Sequence, residues 1–190
     1  MNASDVFKRI VAALDRAGVC YMLTGSFASA YYGASRSTLD IDIVIEATPE
    51  RLRLFVENLP ATEYYVDLDA ALAAHKHESL FNVIDFATGW KIDLIMRKSS
   101  AFGEEAFRRR QPATLHNVSL FIISVEDAIL SKLEWSKLAR SHRHLEDVAG
   151  MVRMRWETLD RSYLGKWIKG LGLETEWNDA RQLAGISETM

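Results

Sequence analysis

Leu23-Thr-Gly-Ser-Phe-Ala-Ser-Ala-Tyr-Tyr-Gly-Ala-Ser-Arg-Ser-Thr-Leu-Asp-Ile-Asp-Ile-Val44 is the stretch whose reading decides the fold. Val19 to Thr24 is a short apolar run that reads as a buried strand ending at Gly25-Ser26. Phe27 to Tyr32 suits one or two helical turns closed by Gly33. Leu39 to Ile45 then alternates acid and aliphatic residues, the period of a strand with one polar and one apolar face. Glycine at a strand-to-helix turn lets backbone approach a ligand closely, and amides at a helix start, with the Ser26 hydroxyl, suit phosphate oxygens. Asp40 and Asp42 stand two apart on the second strand, so both carboxylates project from one face. Ile41 and Ile43 point to the core, with Val44 a further core candidate. Two carboxylates held this way repel each other unless a cation lies between them, and hard oxygen ligands suit Mg²⁺.

A third acid joins them from further along. Asn82 to Met96 holds two apolar runs around Thr88-Gly89, the pattern of a hairpin. Asp93, in Lys91-Ile-Asp-Leu-Ile-Met96, sits among aliphatic residues, where a carboxylate is costly unless paired or metal-bound. Three acids can hold two cations about 4 Å apart and help deprotonate an attacking hydroxyl. Asp85, in Val83-Ile-Asp-Phe86, competes for this role. A two-residue turn at Thr88-Gly89 would put Asp85 and Asp93 on opposite faces, so only one of them serves.

Outward from this core, Phe7, Ile10, Val11 and Leu14 recur at helical spacing before a C-cap glycine, Gly18. Thr48-Pro49 opens a helix running to Asn58. Ala101 to Arg110 reads as helix and Val118 to Ile123 as strand. After Ser124-x-x-Asp127, which resembles a capping box, strand signals stop. Ala128 to Trp135, Leu145 to Met154, Tyr163 to Leu171 and Trp177 to Leu183 suit amphipathic helices. The expected organisation is an α/β core over residues 1–123, with a mixed sheet flanked by helices, and a helical domain over residues 124–190.

Composition agrees with a globular chain. Of 190 residues, 48% are apolar and 26% charged, enough to fill a core and clothe it. No apolar run approaches the ~20 residues of a membrane helix, and MNASDVFKRI lacks a secretory h-region. Cys20 is the only cysteine, which excludes an internal disulfide. A cytoplasmic location is the expectation, with no membrane partner. The net charge of −3 provides no global field for nucleic acid, but its distribution is uneven. Residues 40–69 carry eight acids against two bases, whereas residues 97–110 carry five bases against two acids. Residues 132–155 hold six bases against three acids. These two basic stretches are the candidate docks for an anionic acceptor, with Arg108-Arg-Arg110 able either to touch RNA or to end a helix favourably. His75-Lys-His77 and His142-Arg-His144 lack the spacing of a zinc site and read as surface. The five tryptophans read mostly as core.

The order apolar-Gly-Ser, thirteen residues, Asp-apolar-Asp-apolar, then a later strand Asp resembles the nucleotidyltransferase superfamily typified by DNA polymerase β. Within it, the motifs Gly25-Ser-Phe-Ala28, Arg36-Ser-Thr-Leu-Asp-Ile-Asp42, Lys91-Ile-Asp93 and Arg143-His-Leu-Glu-Asp147 resemble those of bacterial AbiEii-like and related nucleotidyltransferase groups. His144 departs from that pattern, which has a first Asp there. The resemblance covers residues 20–150. It implies transfer of a nucleoside monophosphate from an NTP such as ATP to an acceptor hydroxyl, with Asp40, Asp42 and Asp93 as catalytic residues holding Mg²⁺ in a two-metal site. It further implies that Gly25 and Ser26 bind the outer phosphates, that Arg36 neutralises charge as pyrophosphate leaves, and that Lys132 contacts phosphate. The acceptor it allows is RNA, such as tRNA, or a small molecule. A toxin–antitoxin setting with an antitoxin partner is within its range. The rival reading is a non-catalytic nucleotide- or partner-binding module that keeps the fold.

Overall fold

The computed structural model of the chain describes residues 3–34, 38 and 40–186. Its elements run in the order α1 (Ala3–Arg16), β1 (Cys20–Thr24), α2 (Gly25–Tyr31), β2 (Asp40–Glu46), α3 (Pro49–Glu57), β3 (Tyr64–Val66), α4 (Leu68–His77), β4 (Leu80–Asp85), β5 (Lys91–Met96), α5 (Ala101–Arg108), β6 (Gln111–Leu115) and β7 (Val118–Ile122). There follow α6 (Val125–Ala139), α7 (His142–Arg155), a 3₁₀ turn (Trp156–Thr158), α8 (Arg161–Leu171) and α9 (Glu174–Ala184). Two compact units emerge, one from Met1–Gly25 with Thr38–Ile123, the other from Ser26–Ser37 with Ser124–Met190.

The first unit is built on a mixed seven-stranded sheet of order β3-β4-β5-β2-β1-β7-β6. Parallel pairs join β2 to β5 and β1 to β7; the remaining neighbours are antiparallel. Alternation makes the sheet two-faced. Ile41, Ile43, Ile45, Ile92 and Leu94 are buried on one side, while Asp40, Asp42, Lys91 and Asp93 lie on the other. Val44 follows the acids, half-buried on their face and not in the core beside Ile43. Packing of α1 on β1 and β7, and of α4 on β4 and β5, closes the apolar side. Burying such aliphatic side chains contributes roughly 1.5–3 kcal/mol each. The Thr48 cap accepts from the Arg51 amide with Pro49 opening α3, a start that removes an amide with no helical partner.

The β4–β5 connection differs from the two-residue turn. Asp85 N–H donates to Trp90 and the ladder resumes at Ile84↔Lys91, so Phe86 to Gly89 form a four-residue loop. Two added residues preserve parity, so Asp85 and Asp93 still face opposite sides. Three elements have no counterpart in the sequence reading: β3, α4 and β6. The first has three residues, and β6 carries Pro112 on the sheet edge, where a missing amide is tolerated.

In the second unit, α6 packs on α7, α8 and α9, and α7 and α8 each pack on α9. Ser124 caps α6 through the Asp127 amide, and its hydroxyl also donates to the Asp127 carboxylate at 2.6 Å. Tyr163 donates to the other oxygen of that buried carboxylate at 2.6 Å. The tail of α2 meets α7 closely. A side chain on Gly33 would strike Met154, and one on Gly150 would lie 3.0 Å from the Ala34 Cα. Trp156 and Trp177 stack within this core, but Trp135 is 58% exposed on α6, contrary to a core reading.

Candidate active site

The carboxylate face occupies the middle of the sheet. Cα pairing places Asp42 opposite Asp93 and Asp40 opposite Lys91 on the parallel strands β2 and β5. Neighbouring strands run about 4.8 Å apart, and residues two apart on one strand are separated by about 6.6 Å. Asp40, Asp42 and Asp93 are therefore neighbours on one face, brought there by strand register alone.

Gly25 completes the wall beside Asp42. Thr24 pairs with Asp42 across β1 and β2, and the chain then turns at Gly25 with φ +65°. A Cβ on Gly25 would fall 1.9 Å from the Asp42 Oδ2 and 2.5 Å from its Cγ. Glycine is required here twice, for its backbone conformation and for the space the carboxylate fills.

Asp93 is held at both oxygens. The Asn82 side-chain amide donates to Oδ1, and Lys91 Nζ lies 3.0 Å from Oδ2. Lys91 also approaches Asp40 Oδ1 at 3.8 Å. Its hydrogen bond to Asp93 pushes the ammonium above its ordinary value despite partial desolvation, and the charges of Asp93, Asp40 and Asp42 add to the effect. Asn82 was not singled out from the sequence, nor was Lys91 given a role. The available signal was alternation: in Leu80-Phe-Asn-Val-Ile-Asp85, Asn82 interrupts the apolar run on the face that meets Asp93.

Asp85 is excluded from this face. It is wholly buried on the opposite side, paired with Arg9, and its Oδ1 accepts from the amides of Ala87 and Thr88. Ser26 belongs to the second unit, buried in α2. Lys132 lies in that unit too, its Nζ 2.7 Å from Asp147 Oδ2, both side chains nearly buried. Asp147 of the Arg143-x-x-x-Asp147 motif is thus bound to Lys132 on α6. Arg36 falls outside the described residues, as does Leu39. The basic stretch 97–110 begins with Arg97, just past the C-terminal end of β5. The Arg97 amide donates to Ile45, near the C-terminal end of β2, whereas Asp40 opens that strand. Six residue steps along β2 span about 20 Å. Arg97 is paired with Glu46 and Glu104, and Arg108 with Glu105.

The donor set fits a hard divalent cation: three carboxylates on one face, with oxygen as the only ligand atom they offer. Among the described residues, no three His, Cys, Asp or Glu side chains are placed so that they could hold a metal ion; in this face Lys91 and Asn82 engage Asp93.

The fold is similar to that of known structures. The solution structure of the antibiotic-resistance factor ANT(2″)-Ia aligns with a TM-score of 0.60 at 13% identity, over 94% of this chain and 96% of that one. The fold is that of the nucleotidyltransferases. The crystal structure of the lincosamide antibiotic adenylyltransferase LnuA, lincomycin-bound, aligns with a TM-score of 0.54 at 14% identity, over 80% of this chain and 96% of that one. ANT(2″)-Ia in complex with adenylyl-2″-tobramycin aligns with a TM-score of 0.50 at 13% identity, over 96% of this chain and 97% of that one. No protein-family model matches the sequence, and no curated protein matches it. Within the nucleotidyltransferase fold of this chain, no described helix is long and apolar enough to cross a membrane.

Proposed function

We propose that the chain is a metal-dependent nucleotidyltransferase that moves a nucleoside monophosphate from an NTP to the hydroxyl of a small-molecule acceptor. The observation that carries this reading is the register Asp42↔Asp93 with Asp40 on the same face and the bare Gly25 turn against Asp42. Asp40, Asp42 and Asp93 would hold Mg²⁺, which when bound neutralises phosphate charge and polarises the phosphorus–oxygen bond to be broken. Asp93, fixed by Asn82, is the carboxylate available to accept the proton of the acceptor hydroxyl. Gly25 leaves the Asp42 carboxylate room at the turn. Ser26, Arg36 and Lys132 as phosphate contacts rest on the sequence resemblance.

A small acceptor is favoured over RNA for two reasons. Within the basic run 97–110, Arg97 and Arg108 are already engaged with glutamates. The aligned structures carry an adenylylated or bound antibiotic. Kinship with AbiEii-like groups, an RNA or tRNA acceptor and an antitoxin partner rest on sequence motifs alone.

The test is incubation with each α-labelled NTP and Mg²⁺, in separate reactions with polyhydroxylated small molecules, lysate metabolites and total RNA. Label should pass to a small acceptor, with release of pyrophosphate, and Asp42→Asn should abolish it. Label appearing only in RNA would overturn the acceptor assignment, and no transfer from any NTP would overturn the reading itself.

A further inference from the structure

We propose that Lys91 is a resident counter-cation of the carboxylate face and competes with the divalent metal for Asp93 and Asp40. The inference rests on the metal-site reading of that face and adds to it a residue whose charge opposes metal entry.

Three carboxylates on adjacent strands repel one another, so a cation among them stabilises the face. The strand register supplies one. Lys91 opposes Asp40 across β2 and β5 and precedes Asp93 by two residues, so its side chain emerges on the acid face between them. Its Nζ is 3.0 Å from Asp93 Oδ2 and 3.8 Å from Asp40 Oδ1. The single ammonium offsets one of three negative charges, and the face retains a net charge suited to a divalent ion.

The two partners of Asp93 differ in kind. Asn82 is neutral and takes Oδ1, fixing the carboxylate plane without adding charge. Lys91 takes Oδ2, the oxygen that Asn82 leaves to a cation. A metal reaches Oδ2 only as the ammonium withdraws, and any residual proximity of the two cations costs Coulomb energy. Withdrawal is feasible: the Lys91 side chain is 43% exposed on a flexible four-carbon stem, against 14% exposure for Asp93. The lysine therefore holds the acids together without metal and lowers metal affinity by the same contact.

The experiment is Mn²⁺ binding without nucleotide, followed by electron paramagnetic resonance and calorimetry, on wild type, Lys91→Met, Lys91→Gln, Asn82→Ala and Asp42→Asn. Lys91→Met keeps the apolar stem and removes the charge; Lys91→Gln keeps a polar donor should the methionine variant not fold. Both should bind Mn²⁺ at least about threefold more tightly than wild type, since a repelling charge is gone. Their melting temperature should fall without metal and recover more than that of wild type when Mn²⁺ is added. Asn82→Ala should not gain affinity. Unchanged or weaker Mn²⁺ binding in both lysine variants, with Asp42→Asn still losing the metal, overturns the competition and leaves the metal site standing. No Asp42-dependent binding in wild type or in the lysine variants overturns both.

Discussion

At Gly25 two demands converge on one residue: a backbone with φ +65° and a volume already filled by the Asp42 carboxylate. Gly25→Ala should cost about 2–4 kcal/mol in urea unfolding, a strained backbone plus a displaced side chain, and should reduce nucleotidyl transfer with it. Asp42→Asn should behave in the opposite sense for stability. Removing one charge from the acid face relieves repulsion, so the metal-free melting temperature should hold or rise while transfer is lost. A calorimetric scan beside a transfer assay separates the two. The sequence made Asp40, Asp42 and Gly25 readable because a two-residue period and a turn glycine are local signals. It could not disclose that Gly25 abuts Asp42, which depends on the pairing of β1 with β2. Nor could it disclose Asn82, whose only signature is a polar residue where an aliphatic one would fit.

Elements carry the next set of expectations. Asp85, on β4, is held by two other parts of the chain at once: Arg9 from α1, and the Ala87 and Thr88 amides of the β4–β5 loop. Asp85→Ala should cost about 3–5 kcal/mol, as one buried partner of an ion pair is removed, yet leave Mn²⁺ binding intact because it faces away from Asp93. In the second unit, Lys132→Met should destabilise on the same scale by taking the ammonium from the buried Asp147 carboxylate. The double replacement Lys132→Met with Asp147→Leu should recover most of the loss. If that double variant still binds NTP, Lys132 serves the helical packing alone. Most helices and strands were legible from caps and periods: Thr48-Pro49, Gly18 and Ser124 each mark the boundary expected of them. The elements missed were the weakly patterned ones. Tyr64–Val66 is too short for a period, and α4, rich in alanine and histidine, has little contrast between its faces.

For the molecule as a whole, charge and pH set two further tests. Burial pushes the Tyr21 phenol up to about 12 from 10.0, with the Asp15 charge adding to it. The folded state keeps that proton after the unfolded chain has lost it, so the contribution is intact below pH 10 and disappears as pH rises towards 12. The raised Lys91 ammonium acts in the same sense, losing its contribution as pH climbs past its elevated value. Tyr21→Phe should flatten the decline in melting temperature across this window and remove one late phenol ionisation from an ultraviolet titration. Replacing Arg108, Arg109 and Arg110 together with Gln should leave Mn²⁺ and NTP affinities unchanged and transfer insensitive to salt, since a small acceptor needs no run of phosphate contacts. The division of the chain has its own bearing on dissection. Because residues 26–37 belong with 124–190, the polypeptide leaves the sheet unit and returns to it before the second strand is laid down. A fragment cut at Ser124 would strand α2 from Met154 and Gly150, and the excised tail would expose the seat that Gly33 and Ala34 fill. Neither half is a detachable cassette, and gene fusions or deletions at that junction should yield sticky, poorly expressed pieces, not tidy modules.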